Sequence, residues 1–218
     1  MVAATDRSNT DTTQLLRVPK QARSRQKFND ILDAALKLFH ARGYEQVSVR
    51  EIARDCDQPI ASVYQYFPNK LSIVRQLWER YTGTLSAFLT EEFLSMVAEP
   101  GEETLRRVTG NIVDHMVAYH RDYPEFLDIW RCVDSSPELR ALNRQDTLEV
   151  AGAITDVICQ VDPDADPELV FHRAIIACET ANHTVQLAQE LPEAMRAGVI
   201  ENLKVVLASI FEQMGQQG

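Results

Sequence analysis

Two prolines, Pro59 and Pro68, set the tightest limit on how this chain can fold. They sit inside the stretch Ser48 to Lys70, which reads SVREIARDCDQPIASVYQYFPNK. Ser48 followed three residues later by Glu51 is a capping box, so a helix starts there. Val49, Ile52 and Ala53 give that helix one apolar face. Asp55-Cys56-Asp57-Gln58 breaks the period, and Pro59, which suits a first helical turn and not an interior, opens a second helix at Pro59 or Ile60. Pro68 disfavours helical geometry at Phe67, so the second helix is brief. Asn69 is a good N-cap for a third. Two helices of about two turns each, joined by so short a turn, cannot bury their own faces; this is the build of a helix-turn-helix.

Upstream, Phe28, Ile31, Leu32, Ala35, Leu38 and Phe39 recur at three- and four-residue steps, predicting a helix from about Ser24 to Ala41 stopped by Gly43. Together these residues resemble the TetR family of bacterial transcriptional regulators. The resemblance rests on Ile31 to Phe39, Gly43-Tyr44, Ile52-Ala53, the run Val63-Tyr64-Gln65-Tyr66-Phe67, the single-residue link Pro68, and Asn69-Lys70. It covers roughly Arg25 to Leu77. Two positions depart from the family pattern: Asp57 stands in place of the usual turn glycine, and Ile60 in place of a common lysine. Asp tolerates a left-handed turn conformation, so the fold reading survives the first change. The second bears on which operator is read.

The net charge of −10 looks wrong for a DNA binder until it is divided along the chain. Residues 1–80 hold 13 Lys and Arg against 9 Asp and Glu, net +4, and residues 81–218 hold 9 against 23, net −14. A basic front and an acidic rear match a DNA-binding end joined to a body that avoids DNA. No apolar run reaches the roughly 18 residues of a membrane span and the N-terminus has no apolar signal core, so the expectation is a cytoplasmic protein with no membrane contact. Cys56, Cys132, Cys159 and Cys178 form no CxxC pair and suit buried thiols in a reducing compartment.

Met1 to about Gln14 has little to bury and reads as a disordered tail. Arg17, Lys20, Arg23 and Arg25 then form a basic arm, either lying along phosphates or a minor groove or simply leading into the first helix. A long helix from Asn69 to about Ala98 ends at Pro100-Gly101. Further helices are expected over Glu102–Asp122, Pro124–Val133, Pro137–Val161, Pro167–Glu190 and Pro192–Gln213. No strand pattern and no repeat is visible, so the fold class is all-α. The expected division is a tail and arm at 1–22, a helix-turn-helix domain at 23–68 and a helical effector-binding and dimerisation domain at 69–218.

The resemblance implies roles for particular residues. Ile60, Ala61, Ser62, Tyr64 and Gln65 occupy groove-facing positions of the family, with Gln65 suited to adenine, Ser62 to several bases and Ile60 to a thymine methyl. Arg50 matches a position that can reach a base, and an Arg suits guanine. Tyr64, Tyr66 and Lys70 fall where the family grips phosphate, although Tyr66 also suits the core and Arg50 also suits plain solvent. The implied partners are a double-stranded DNA operator, a small-molecule effector and a second copy of the chain, joined through the last two helices. Ala174, Ala177, Cys178 and Ala181 on one of them, and Val199, Leu203, Val206 and Ile210 on the other, are candidates for that interface. The family's commonest behaviour is repression relieved by a ligand.

For the effector, Met116, Tyr119, Phe126 and Trp130, with His115, Glu179 and His183, offer an apolar lining with a few polar groups. The same aromatics also suit plain core. His172, Glu179 and His183 fall on one side of a helix and suit a metal, a polar ligand, a pocket wall or a subunit interface. Asp162, Asp164 and Asp166 imitate the opening of a calcium loop, but Pro167 and Arg173 stand where that loop needs Gly and Glu. There is no GxSxG, HExxH, phosphate-binding loop or dinucleotide fingerprint, so no enzyme activity, cofactor or metal is expected. The alternative is a helical enzyme or sensor that keeps a helix-turn-helix without using it on DNA.

Overall fold

The computed structural model describes residues 15–16 and 19–212; the expected tail at 1–14 and Arg17 of the basic arm lie outside the described residues. Among these residues there are helices and no strands: α1 Ala22–Arg42, α2 Val49–Asp55, α3 Ile60–Tyr64, α4 Lys70–Ala98, α5 Glu102–Asp122, α6 Phe126–Ser135, α7 Pro137–Val161, α8 Pro167–Glu190 and α9 Glu193–Glu212. They fall into two compact units that divide between Glu79 and Arg80. The sequence suggests a division at 68/69 instead. The difference arises because Ile73, Val74, Leu77 and Trp78, in the first turns of α4, are buried in the smaller unit.

The smaller unit is built on local signals. Ser48 Oγ accepts from the Glu51 N–H at 3.3 Å while Glu51 Oε2 accepts from the Ser48 N–H at 2.9 Å, so the capping box is closed in both directions. At the far end of α2, the Asp57 N–H donates to Arg54 O and the Gln58 N–H to Ala53 O, the paired bonds of a Schellman motif. Asp57 lies at φ 51, the left-handed conformation this motif demands. Pro59 caps α3, and Asn69 Oδ1 accepts from the Ser72 N–H at 2.8 Å to start α4. Phe28, Tyr66 and Phe67 meet in the core, with Phe28 and Phe67 stacked at 4.9 Å, and Phe39 and Trp78 are buried in the same unit.

In the larger unit α8 packs on α7 and α9, and α9 on α5. Ser136 and Asp166 cap α7 and α8, each followed by a proline in the first turn. Asp162 and Asp166 accept backbone N–H bonds from Asp164 and Glu168, so two of the three aspartates that resemble a calcium loop close the turn before α8. Val113, Met116, Ala177, Ala181, Ile200, Leu203 and Leu207 share one core. That arrangement corrects the expected dimer face at four of its eight residues, while Cys178, Val199 and Ile210 stay half-buried and Val206 exposed. Ala174, Ala177, Ala181 and Leu203 are buried inside the chain itself, because small residues that allow close helix approach serve α8 against its own neighbours.

Candidate nucleic-acid interface and effector cluster

The residues of α3 and its C-cap Gln65 differ in exposure. Val63 is fully buried, while Ala61, Tyr64 and Gln65, spaced i, i+3 and i+4, are exposed on one side. Ile60 and Ser62 are half-buried beside them, and Arg50 on α2 is exposed. This is a short, uncharged face, and elsewhere in the same unit Lys20, Arg23, Arg25, Arg50 and Arg54 are all exposed. The segment before α1 is tied to the end of α3 by the Leu16 N–H, which donates to Tyr66 O at 3.0 Å.

Two residues expected at phosphates make contacts within the smaller unit. Tyr66 is 5% exposed, its ring edge-on to Phe28 at 5.7 Å. Lys70 Nζ donates to the carbonyls of Tyr44 and Val47 at 2.5 and 2.9 Å and stands 4.0 Å over the Tyr44 ring. The ammonium thereby fastens the start of α4 to the loop between α1 and α2. Glu51 makes a comparable link: the Ser48 N–H, the Ser48 hydroxyl and Arg42 hold its carboxyl down at about 2.

In the larger unit, Tyr119, Phe126 and Trp130 do meet. They surround Tyr81 of α4, whose ring lies 4.9 Å from Tyr119, 5.4 Å from Phe126 and 6.0 Å from Trp130. Tyr81 and the neighbouring His120 are members the sequence reading did not single out. The available signal is the four-residue step from Met116 to His120, which carries both onto the buried side of α5. His120 is 2% exposed, its Nδ1 has no hydrogen-bond partner, and burial pushes its imidazole down to about 4. Burial also raises the phenols of Tyr81 and Tyr119, the latter to about 12.

The other expected lining residues are placed apart. His115 stacks on Phe88 at 4.1 Å with Nε2 buried and unpartnered, and burial lowers its pKa. Met116 belongs to the core with Val113 and Leu203. Glu179 accepts from the Thr147 hydroxyl at 2.8 Å, and the His183 side chain, 3.6 Å from Glu179, is 63% exposed. Among the described residues no three His, Cys, Asp or Glu are grouped to hold a metal ion, and no helix is long and apolar enough to cross a membrane. On α8 and α9, Ile176, Leu187, Met195, Val205 and Val206 are exposed, and a groove of about 530 Å³ runs between Thr180, Thr184, Met195, Gly198, Val199 and Val206.

Comparison with known proteins agrees with this division. Residues 31–77 match the family model of bacterial regulatory proteins of the tetR family, and residues 103–214 match the tetracyclin repressor-like C-terminal domain. An uncharacterized HTH-type transcriptional regulator, YuxN of Bacillus subtilis (strain 168), is 39% identical over 51 residues, 23% of this chain and 18% of its own. The A-factor receptor protein of Streptomyces griseus is 33% identical over 66 residues, 30% of this chain and 24% of its own. The chain thus spans a quarter or less of these two relatives. A TetR-family transcriptional regulator from Streptomyces coelicolor shares the fold with a TM-score of 0.60 at 24% identity, covering 86% of this chain and 99% of that one. With a C-terminal model matching half the chain and an N-terminal one matching its helix-turn-helix, the chain belongs to the TetR family of DNA-binding transcriptional regulators.

Proposed function

We propose that this protein is a repressor that binds a palindromic operator as a homodimer and leaves it when a small, largely hydrophobic effector enters the larger unit. The observation that carries the reading is the exposed Ala61, Tyr64 and Gln65 face on a compact, basic unit. Gln65 pairs with adenine, Ser62 and Ile60 touch neighbouring base edges, and Arg50 meets guanine. Tyr64 contacts phosphate. Tyr66 and Lys70 act from behind, holding α3 and the α1–α2 loop in place. The effector site is the Tyr81, Tyr119, His120, Phe126 and Trp130 group, where aromatic walls surround an uncharged imidazole with an unpartnered nitrogen. One relative is named a receptor, which agrees with a ligand-responsive body.

One small unit makes too few base contacts for specificity in a genome, so two copies are required. The exposed apolar face of α8 and α9 supplies the contact. Effector binding displaces α4, whose residues belong to both units, and changes the spacing of the two recognition helices. Footprinting on DNA upstream of the chain's own gene tests this. Two protected half-sites about one DNA turn apart, or a multiple of that, are expected. A single protected half-site, or one copy per site by sedimentation, contradicts it. Met195→Glu with Val206→Glu separates the copies while each stays folded. Leu203→Glu, at a position only 4% exposed, unfolds the chain instead.

A further inference from the structure

A cavity lies in the larger unit, sharing no residue with the Tyr81 and Trp130 group. It holds about 260 Å³ and is walled by Met96, Leu105, Ile158, Val161 and Phe211. These side chains border a core of their own, that of Met96, Val108, Ile158 and Val170, in which Leu105 and Phe211 are only partly covered. Two carboxylates complete the lining: Glu102 is exposed and Asp162 half-buried, so negative charge stands where solvent enters. No described basic residue lines it. Arg106 pairs with Glu102 at 3.6 Å, but both side chains are more than half exposed and the pair is weak.

The backbone adds the same sign. Met96 and Val161 lie in the last turns of α4 and α7, whose carbonyl ends carry partial negative charge. A single amino end, that of α5 at Glu102, opposes these two. The unit as a whole is acidic, with residues 81–218 at net −14. We infer that this cavity binds a lipophilic cation, the apolar part between Leu105, Ile158 and Phe211 and the positive head at Glu102 and Asp162. An anionic amphiphile of equal length meets the same wall but the wrong field. The site goes beyond the operator-and-effector reading and does not depend on it.

Calorimetric titration of the full chain with octyltrimethylammonium, 1-octanol and octyl sulfate tests the inference, since the three share a tail and differ in the head. At low salt the cation is expected to bind about tenfold tighter than the alcohol, with the sulfate weakest. Glu102→Gln with Asp162→Asn, whose amide oxygen can still accept from the Asp164 N–H, is expected to bring the cation down about tenfold and leave octanol unchanged, with the melting temperature checked. Leu105→Trp, with its melting temperature checked, fills the cavity and abolishes all three. His120→Asn leaves cation binding as it was. Equal affinity for the three heads, a preference for sulfate, or no binding by the cation overturns the inference. So does cation binding that survives the carboxylate double variant, is lost with His120→Asn, or requires deletion of residues 213–218.

Discussion

The two units differ in the buried polar atoms they leave unpaired. In the smaller one, Ser48, Glu51, Asn69, Ser72 and Lys70 each close a helix end or a loop. In the larger one, His115 Nε2, His120 Nδ1, Arg173 Nη1, Gln186 Nε2 and Gln189 Nε2 are buried without a hydrogen-bond partner. A buried polar group left unpaired costs about 1–3 kcal/mol, so a protein keeps several only where something else answers them. The first pattern suits a rigid probe that must present α3 in one orientation. The second suits a body whose interior is completed by a ligand.

Removing a core ring of the smaller unit has the largest expected effect. Phe67→Ala, at a fully buried position stacked on Phe28, is expected to cost about 3–5 kcal/mol. Calorimetry should show the smaller unit's transition lost and the larger unit's kept; if both shift together, the units are not separate in stability.

Acid comes next, and it separates the units by pH window. The unfolded His120 takes a proton below its ordinary 6.5, whereas the folded one waits until about 4. The larger unit therefore loses stability as pH falls from 6.5 to 4, by about 3 kcal/mol. His120→Asn should flatten that loss. Tyr81 and Tyr119, the rings facing His120, titrate far above this range. Glu51 behaves differently: its carboxyl is lowered from 4.5 to about 2, so its stabilisation is present above 4.5 and is lost only as pH falls toward 2. Acid unfolding followed by Trp130 fluorescence should thus begin in the larger unit.

A smaller effect tests Lys70. Lys70→Met is expected to destabilise the smaller unit by about 1.5–3 kcal/mol, the range for charged hydrogen bonds, and to weaken DNA binding without changing its salt dependence. A phosphate contact would instead lower the slope of log affinity against log salt by about 0.9. The smallest expected effect is at Asp57. Asp57→Gly relieves the left-handed backbone and should be neutral or stabilising by up to about 1 kcal/mol, while Asp57→Val should destabilise by about 1–2 kcal/mol.

The smaller unit was legible because its signals are local. Ser48 with Glu51, Asp57 in the turn, Pro59 and Asn69 each fix a few dihedral angles near themselves, and each is where the sequence puts it. What was not legible there is long-range: Lys70 reaches back to Tyr44 and Val47, and nothing in the spacing distinguishes a carbonyl from a phosphate as its partner. In the larger unit, periodicity located α5, α7 and α8 but could not say which neighbour an apolar stripe meets. Leu203 and Ala177 therefore read as a face for a second copy and are instead core of the first. Tyr81 and His120 were missed for the same reason. Their meeting joins α4 to α5 across a gap in sequence that no local rule spans.

The assignment of α3 as the DNA-reading element is tested most directly by fluorescence anisotropy on duplex fragments from the chain's own promoter neighbourhood, titrated at rising salt. Tight binding at low salt, a steep linear fall of log affinity with log salt, and a changed sequence preference in Gln65→Ala are expected. No binding to any such fragment at low salt, or Gln65→Ala and Tyr64→Ala variants that bind every fragment as the unaltered chain does, contradicts it.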